Sequence, residues 1–178
     1  MGSEHRCPRP RSALIASLLL WTALPACGDP VKDAAIAALG PELPAVPPGP
    51  LHRAGQPCLV CHDGATAREL SLAGTVFWTA DSDVPAPATE VLVIDGDGRT
   101  FTAVTNCAGN FLVRPEDFEP TFPLWVALRR GGAEIEMDSP VLGDGSCAGC
   151  HGLDTGPGST GRVYLHAVPP AAGPGECP

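Results

Sequence analysis

The sequence predicts a mainly β protein, built as a small antiparallel β-sandwich or barrel, and two features indicate this class. Short apolar runs rich in β-branched and aromatic residues recur between residues 75 and 165, at a spacing of roughly ten residues. Turn residues separate these runs, most clearly Asp95-Gly96-Asp97-Gly98, because an Asp-Gly pair is a strong hairpin signal. Regularly spaced short strands with turns between them are typical of sandwiches and barrels.

Each strand is predicted from its local pattern. Residues 99–105 alternate apolar and polar side chains, as expected of a strand with one buried face. Turns are expected at 106–110 and at Gly131-Gly132, where small and polar residues interrupt the apolar runs. The predicted strands are 75–78, 90–94, 99–105, 111–113, 123–129, 134–137 and 162–165.

A five-residue motif occurs twice, as Cys58-Leu59-Val60-Cys61-His62 and as Cys147-Ala148-Gly149-Cys150-His151. Two cysteines separated by two residues and followed by a histidine form the pattern of c-type haem attachment. The motifs resemble those of cytochromes c and, with the N-terminal features below, the dihaem lipoprotein cytochromes that bacteria export. This resemblance implies two covalent haem c groups in two peripheral loops. The thiols would form thioethers with the haem vinyl groups, and His62 and His151 would be the proximal iron ligands.

Two other uses of a CxxC pair were weighed against haem. Structural zinc sites usually place their two CxxC pairs about 15–20 residues apart, whereas 85 residues separate Cys61 from Cys147. A thioredoxin-like redox pair is expected near a βαβ pattern, and the sequence shows none. Both alternatives are therefore weaker than haem attachment.

The N-terminus has the pattern of a secretory signal, assigned to residues 1–26. Arg6, Arg9 and Arg11 precede an apolar run from Ser12 to Leu24 that is too short to cross a bilayer. The following Leu-Pro-Ala-Cys resembles the lipobox of bacterial lipoproteins and implies lipidation of Cys27, although a proline replaces the usual small residue. The alternative is an ordinary signal cleaved near Ala26. Either reading predicts an extracytoplasmic bacterial protein, and the lipoprotein reading predicts a membrane-anchored one in the periplasm.

Residues 27–50 are predicted to form a tether. Asp29, Pro30 and Gly40 are start and stop signals for a short helix, and the proline-rich 41–50 should be a stiff spacer. The alternative is a helix packed on the domain as an N-terminal arm. The folded dihaem domain is assigned to 51–168 and a C-terminal tail to 169–178.

The middle of the chain resembles a known β-sandwich. The runs AGTVF, EVLVIDGDGRTFTAVTNCAGNF and FPLWVALRRGG are similar to the carboxypeptidase regulatory-like and Cna-B-like repeats, over about residues 73–132. The resemblance implies a prealbumin-like sandwich without catalytic residues.

Two histidines remain for the sixth coordination positions of the irons once the proximal pair is assigned. These are His52 and His166. His52 precedes Cys58 by six residues, and we expect it to serve the other haem rather than its own. Met137 is an alternative ligand, since a thioether can occupy an axial position, but it can equally be a strand core residue. The alternative for His52 and His166 is a solvated surface position.

Cys107 and Cys177 remain after haem attachment and lipidation are counted. An even remainder in an oxidising compartment predicts a disulfide between them, worth about 4 kcal/mol in the chain-entropy model. The alternative is two free thiols.

The net charge and the absence of certain motifs in the sequence narrow the possible classes of function. Residues 1–26 hold three arginines and one glutamate, so their removal changes the formal charge from −9 to −11. Such an acidic surface argues against nucleic-acid binding. It favours redox partner proteins with basic surfaces, or serves solubility alone.

The sequence has no signature of a hydrolase or of a nucleotide-binding enzyme. The sequence predicts an electron-transfer protein. A haem enzyme, such as a peroxidase or small-molecule reductase, and a sandwich binding module with haem as redox sensor are the alternatives.

Overall fold

The computed structural model describes residues 29–42, 46 and 48–165. Within these ranges the chain forms one α-helix, two short 3-10 turns and nine β-strands. The helix is α1 (Pro30–Ala38), and the 3-10 turns, Cys58–Val60 and Cys147–Gly149, each begin a CxxCH motif. The strands are β1 (Leu72–Phe77), β2 (Glu90–Ile94), β3 (Thr100–Val104), β4 (Asn110–Val113), β5 (Trp125–Arg130), β6 (Ala133–Glu136), β7 (Thr155–Gly156), β8 (Ser159–Thr160) and β9 (Val163–Tyr164).

The strands form two main sheets and one small hairpin. The four-stranded sheet has the order β3-β2-β5-β6, and all its pairs are antiparallel. The three-stranded sheet has the order β4-β1-β9, with β1 antiparallel to β4 and parallel to β9. Strands β7 and β8 pair with each other after the second motif.

Apolar side chains from both main sheets meet in one core. Strand β1 is buried along its whole length, as expected for a central strand. Strand β2 alternates, so Val91 and Val93 are buried while Glu90 is exposed. The largest fully buried apolar side chains are Leu124, Val76, Val91 and Val113.

The turn at Asp95 is fixed by a buried carboxylate. One oxygen of Asp95 accepts the backbone N–H groups of Asp97 and Arg99, and the other accepts the backbone N–H of Thr121. The Arg99 guanidinium also donates to it, at 2.9 Å. The Asp-Gly-Asp-Gly sequence thus joins β2 to β3 and holds the chain before β5.

The mainly β class, the antiparallel pairing and the short N-terminal helix are confirmed. The helix begins where predicted, because the Asp29 carboxylate accepts the N–H groups of Val31 and Lys32. Strand bounds differ from the prediction by up to three residues, since β1 begins at Leu72. The β7–β8 hairpin was not predicted, because its four residues are too few to show a period.

Helix α1 packs against the loop that carries the first motif. The Gln56 side chain donates to the carbonyl of Leu39, and Arg53 donates to the carbonyl of Gly40. Lys32 forms an ion pair with Asp63, just beyond His62. These contacts are of the kind expected for the packed arm that the sequence left as an alternative.

Candidate haem site

The two CxxCH motifs fold into the same local structure although they lie 89 positions apart in the chain. In each, the histidine N–H donates to the carbonyl of the first cysteine, at 2.9 Å for His62 and 2.8 Å for His151. The second cysteine N–H donates to the same carbonyl, at 3.1 Å and 3.2 Å. Each motif is therefore one tight helical turn, which brings its two thiols and its histidine together.

The second motif is seated on strand β1. The N–H of Ala73 donates to the carbonyl of Gly145, at 2.9 Å, and Ala73 bridges to Ser146. A Cβ placed on Gly74 would lie 2.8 Å from the Cβ of Cys147 and 2.9 Å from its sulfur. Glycine at position 74 thus allows the motif to lie directly on the strand.

The first motif approaches β1 one residue further along. The N–H of Gly55 donates to the Thr75 hydroxyl, at 2.7 Å. A side chain at Gly55 would overlap Leu153, which follows His151, and would lie 3.2 Å from the ring of Phe77. The two motif loops therefore touch each other.

All three histidines in the described part of the chain have the same anchoring hydrogen bond. Their Nδ1 atoms face backbone carbonyls: Gly49 for His52, Arg68 for His62 at 2.7 Å, and Gly161 for His151 at 3.0 Å. Because a carbonyl only accepts, Nδ1 must carry the hydrogen in each ring, which leaves Nε2 with its lone pair. Metal-bound histidines usually donate their other N–H in this way, which fixes the tautomer.

A cleft beside the first motif, called here the first cleft, contains the groups that a haem requires. Cys58, Cys61, His62 and His52 all line it. The rest of its wall is largely apolar, from Leu39, Pro50, Pro57 and Leu112 together with Arg53 and Gln56.

The structure places His52 next to His62 rather than next to the second motif. The two imidazole centroids are 5.8 Å apart and their planes are inclined by 34°. We expected the five residues between His52 and Cys58 to be too few for such a return. The chain achieves it because Arg53 (φ 54°) and Gly55 (φ 78°) both have left-handed backbone conformations.

Of the other two candidate ligands, Met137 is described by the structure and His166 is not. Met137 follows β6, is half-buried, and its N–H donates to the carbonyl of Val126 on β5, at 3.0 Å. His166 lies outside the described residues.

The β7–β8 hairpin helps to hold the histidine ring of the second motif, because the Thr160 hydroxyl lies 3.0 Å from Nδ1 of His151.

The four motif cysteines are free thiols in the structure. Burial, with smaller contributions from the nearby Cys58 and Asp144, raises the pKa of the Cys147 thiol to about 12. Burial also raises the pKa of Cys58, with a smaller contribution from Cys61. Redox-active CxxC pairs depend on a lowered thiol pKa, so these surroundings do not suit a thioredoxin-like pair.

The remaining cysteine predictions lie partly outside the described residues. Cys107 is disulfide-bonded, while its predicted partner Cys177 and the predicted lipidation site Cys27 are not described. Within residues 29–42, 46 and 48–165, no helix is long and apolar enough to cross a membrane.

The donors present were compared with what haem and zinc require. Across the described ranges, no group of three or more His, Cys, Asp or Glu side chains is arranged to hold a metal ion. A structural zinc ion takes four protein ligands, whereas the porphyrin supplies most haem iron ligands and the protein adds only axial ones. One anchored histidine beside two thiols in each motif is the donor set that a covalent haem uses.

Three residues that shape the site were not singled out from the sequence. Gly74 seats Cys147, and the buried side chains of Thr75 and Asn110 lie beneath the loop that carries His52. Their roles depend on contacts between segments far apart in the chain, and no local pattern marks them.

Comparison of the chain with protein-family models, curated proteins and solved structures gives no match.

Proposed function

We propose that this protein is an extracytoplasmic dihaem c-type cytochrome that transfers electrons between redox partners. The observation that carries the proposal is the identical fold of the two motifs, each with a carbonyl-anchored histidine next to two free thiols. In the same proposal, the two sheets form a prealbumin-like sandwich that serves as the scaffold.

The bound haems would supply iron that alternates between the ferric and ferrous states. The protein's part is to hold the groups around them. Cys58, Cys61, Cys147 and Cys150 would be the attachment points. His62 and His151 would hold the iron through ring nitrogens whose orientation is fixed by hydrogen bonds to the carbonyls of Arg68 and Gly161. Rigid axial ligands favour electron transfer because little needs to move when the iron changes its charge.

The contact between the two motif loops supports transfer within the molecule. Gly55 lies three residues before Cys58, and Leu153 lies two residues after His151. Since these two residues touch, two haems attached at the motifs would be neighbours. An electron accepted at one motif would then have a short path to the other.

The proposal places the protein outside the cytoplasm, held to a membrane through Cys27. Its acidic character, with a formal charge of −9 for the whole chain, suits redox partners with basic surfaces. Transient encounters steered by charge are sensitive to salt, so reduction by a basic donor protein should slow as ionic strength rises.

Covalent attachment is tested with the chain expressed in a bacterial host that matures c-type cytochromes. We expect the intact mass to increase by two haems and haem staining to survive denaturing electrophoresis. The double variants Cys58→Ala/Cys61→Ala and Cys147→Ala/Cys150→Ala should each retain one haem. Replacement of Ser82, which lies outside both motifs, by Ala is the control and should retain both. Loss of all colour on acid-acetone extraction of the wild type would overturn the proposal.

A further inference from the structure

The loop that carries His52 is held by buried polar side chains, which is unusual for a surface loop. Asn110, on β4, is 3% exposed, and Thr75, on β1, is 5% exposed. The Asn110 amide donates to the carbonyls of Pro50 at 3.2 Å and His52 at 3.1 Å. The Thr75 hydroxyl donates to the Asn110 side-chain oxygen at 2.6 Å and accepts the N–H of Gly55 at 2.7 Å.

This network has one consistent arrangement. The two backbone carbonyls only accept, so the NH₂ group of Asn110 must face them and its oxygen must face Thr75. Both amide hydrogens and the threonine hydroxyl are then used. Three points of the loop, at Pro50, His52 and Gly55, are thereby fixed to strands β1 and β4 of one sheet.

The loop is also held from its outer side. Arg53 has a left-handed backbone (φ 54°), which is costly for a residue with a side chain. Its guanidinium donates to the carbonyl of Gly40 at 3.0 Å and to Gln56 at 2.9 Å. A non-glycine residue in this conformation persists only where its surroundings determine it, and here it turns the chain so that His52 comes back to His62.

The separation of the two rings matches a shared metal ion. Two imidazole nitrogens bound on opposite sides of one ion, each at about 2 Å, put the ring centroids on the order of 6 Å apart. The observed separation is 5.8 Å. Both rings line the first cleft with Cys58 and Cys61, and both carry the hydrogen on Nδ1.

We propose that His52 is the sixth ligand of the iron attached at its own motif, opposite His62, and that Asn110 is the positioning residue that holds it there through the network with Thr75. This inference rests on the proposed haem attachment. It assigns the first haem two nitrogen ligands from a single 11-residue stretch, 52–62, so this haem would not depend on ligands from the second motif or the C-terminal tail.

The ligand assignment is tested in the full chain that carries Cys147→Ala and Cys150→Ala, so that only the first haem is present. This haem should be low-spin and should bind carbon monoxide poorly. Adding His52→Ala should make it high-spin and readily reactive with carbon monoxide, and added imidazole should restore the low-spin spectrum. A first haem that stays low-spin without His52 would overturn the assignment. A chain without covalent haem would instead overturn the proposed function.

The positioning role is tested with variants that leave His52 in place. Asn110→Asp and Thr75→Val remove the donors, and each should speed carbon monoxide binding by roughly 10- to 100-fold, the usual cost of losing a supporting contact. Thr75→Ser retains the hydroxyl and should restore slow binding. Thr89→Val is the matched control, since Thr89 is also buried and its hydroxyl donates to Ala86, away from the loop. Equal effects of Thr89→Val and Thr75→Val, or no effect of Thr75→Val and Asn110→Asp, would overturn the role of Asn110.

Discussion

Gly74 is the position where one added methyl group should have the largest effect on the second motif. Its backbone φ is not in the left-handed region, so alanine is permitted by the backbone. There is no room for a side chain, however, because a Cβ would lie 2.8 Å from the Cβ of Cys147 and 2.8 Å from a ring carbon of Phe111. The motif and the core would both have to shift.

Gly74→Ala should destabilise the fold by about 1–3 kcal/mol, the usual cost of overpacking, and should lower haem occupancy at the second motif more than at the first. Intact-mass measurement gives the occupancy and urea unfolding gives the stability. Gly143→Ala is the control, because a Cβ there meets nothing within 4 Å. Full second-motif occupancy in Gly74→Ala would contradict the proposed seating of Cys147.

Asp95 makes stability depend on pH. Burial, the largest single influence, raises its pKa, but the hydrogen bonds from Thr121 and Arg99 and the Arg99 charge together outweigh burial and lower it. A carboxyl with a lowered pKa in the folded state stabilises the fold above its unfolded pKa of about 4 and loses that contribution as pH falls through the folded value.

Asp95→Asn should therefore lower the urea midpoint at pH 7, and the difference from wild type should shrink below about pH 4. The amide would point a donor at the N–H groups that the carboxylate now accepts. Asp97→Asn is the comparison, since the Asp97 carboxylate bonds only the Thr121 hydroxyl among the described contacts and is exposed. A difference that stays constant from pH 7 to pH 3 would argue against this role.

Helix α1 forms part of the wall of the first cleft through Leu39, at the end of the helix. The Lys32 ammonium beside Asp63 holds the pKa of that carboxyl well below its usual range, helped by the backbone N–H of Thr66. Exposed ion pairs contribute little to stability, so the main role of the helix here is to cover the cleft with apolar surface. An apolar surrounding limits water access and raises the potential of a haem iron.

Leu39→Gln should lower the reduction potential of the first haem, because water favours the more highly charged ferric state, and should leave the second haem unchanged. Spectroelectrochemistry of the full chain measures both potentials. Val31→Gln on the same helix is the matched control, since Val31 is 78% exposed. Equal shifts in both variants would show that the helix acts through charge or stability rather than through the cleft.

The elements show why some features follow from sequence and others do not. The helix start is local, because Asp29 and Pro30 determine it, and the Asp-Gly turn after β2 is local for the same reason. The packing of the helix and the return of His52 depend on Arg53, which adopts a left-handed conformation rare for its residue type. The seating of Cys147 depends on Gly74, 73 positions earlier in the chain. Contacts between residues so far apart leave no repeating pattern in the sequence from which they could be predicted.

In the whole molecule, both motif loops contact strand β1, at two consecutive residues. Thr75 supports the first loop and Gly74 supports the second, so neighbouring residues of one strand set the distance between the two sites. The central strand therefore sets the positions of the two motif loops, and Leu153 against Gly55 closes the gap between them.

Neighbouring haems should influence each other's potential. Reducing one iron removes a positive charge beside the other, and charges in a partly buried site interact strongly. The two potentials of the wild type should therefore lie further apart than those of the two single-haem variants measured separately. Potentiometric titration of all three proteins tests this, and a wild-type curve equal to the sum of the two single-haem curves would show independent sites.

The measurement that tests the central claim most directly is a coulometric titration of the purified full chain, followed by its visible spectrum. The account predicts two electrons taken up per polypeptide, with both steps changing the haem absorption bands and with the first haem unreactive to carbon monoxide. An uptake of no electrons, or an uptake without any haem absorption change, would contradict it.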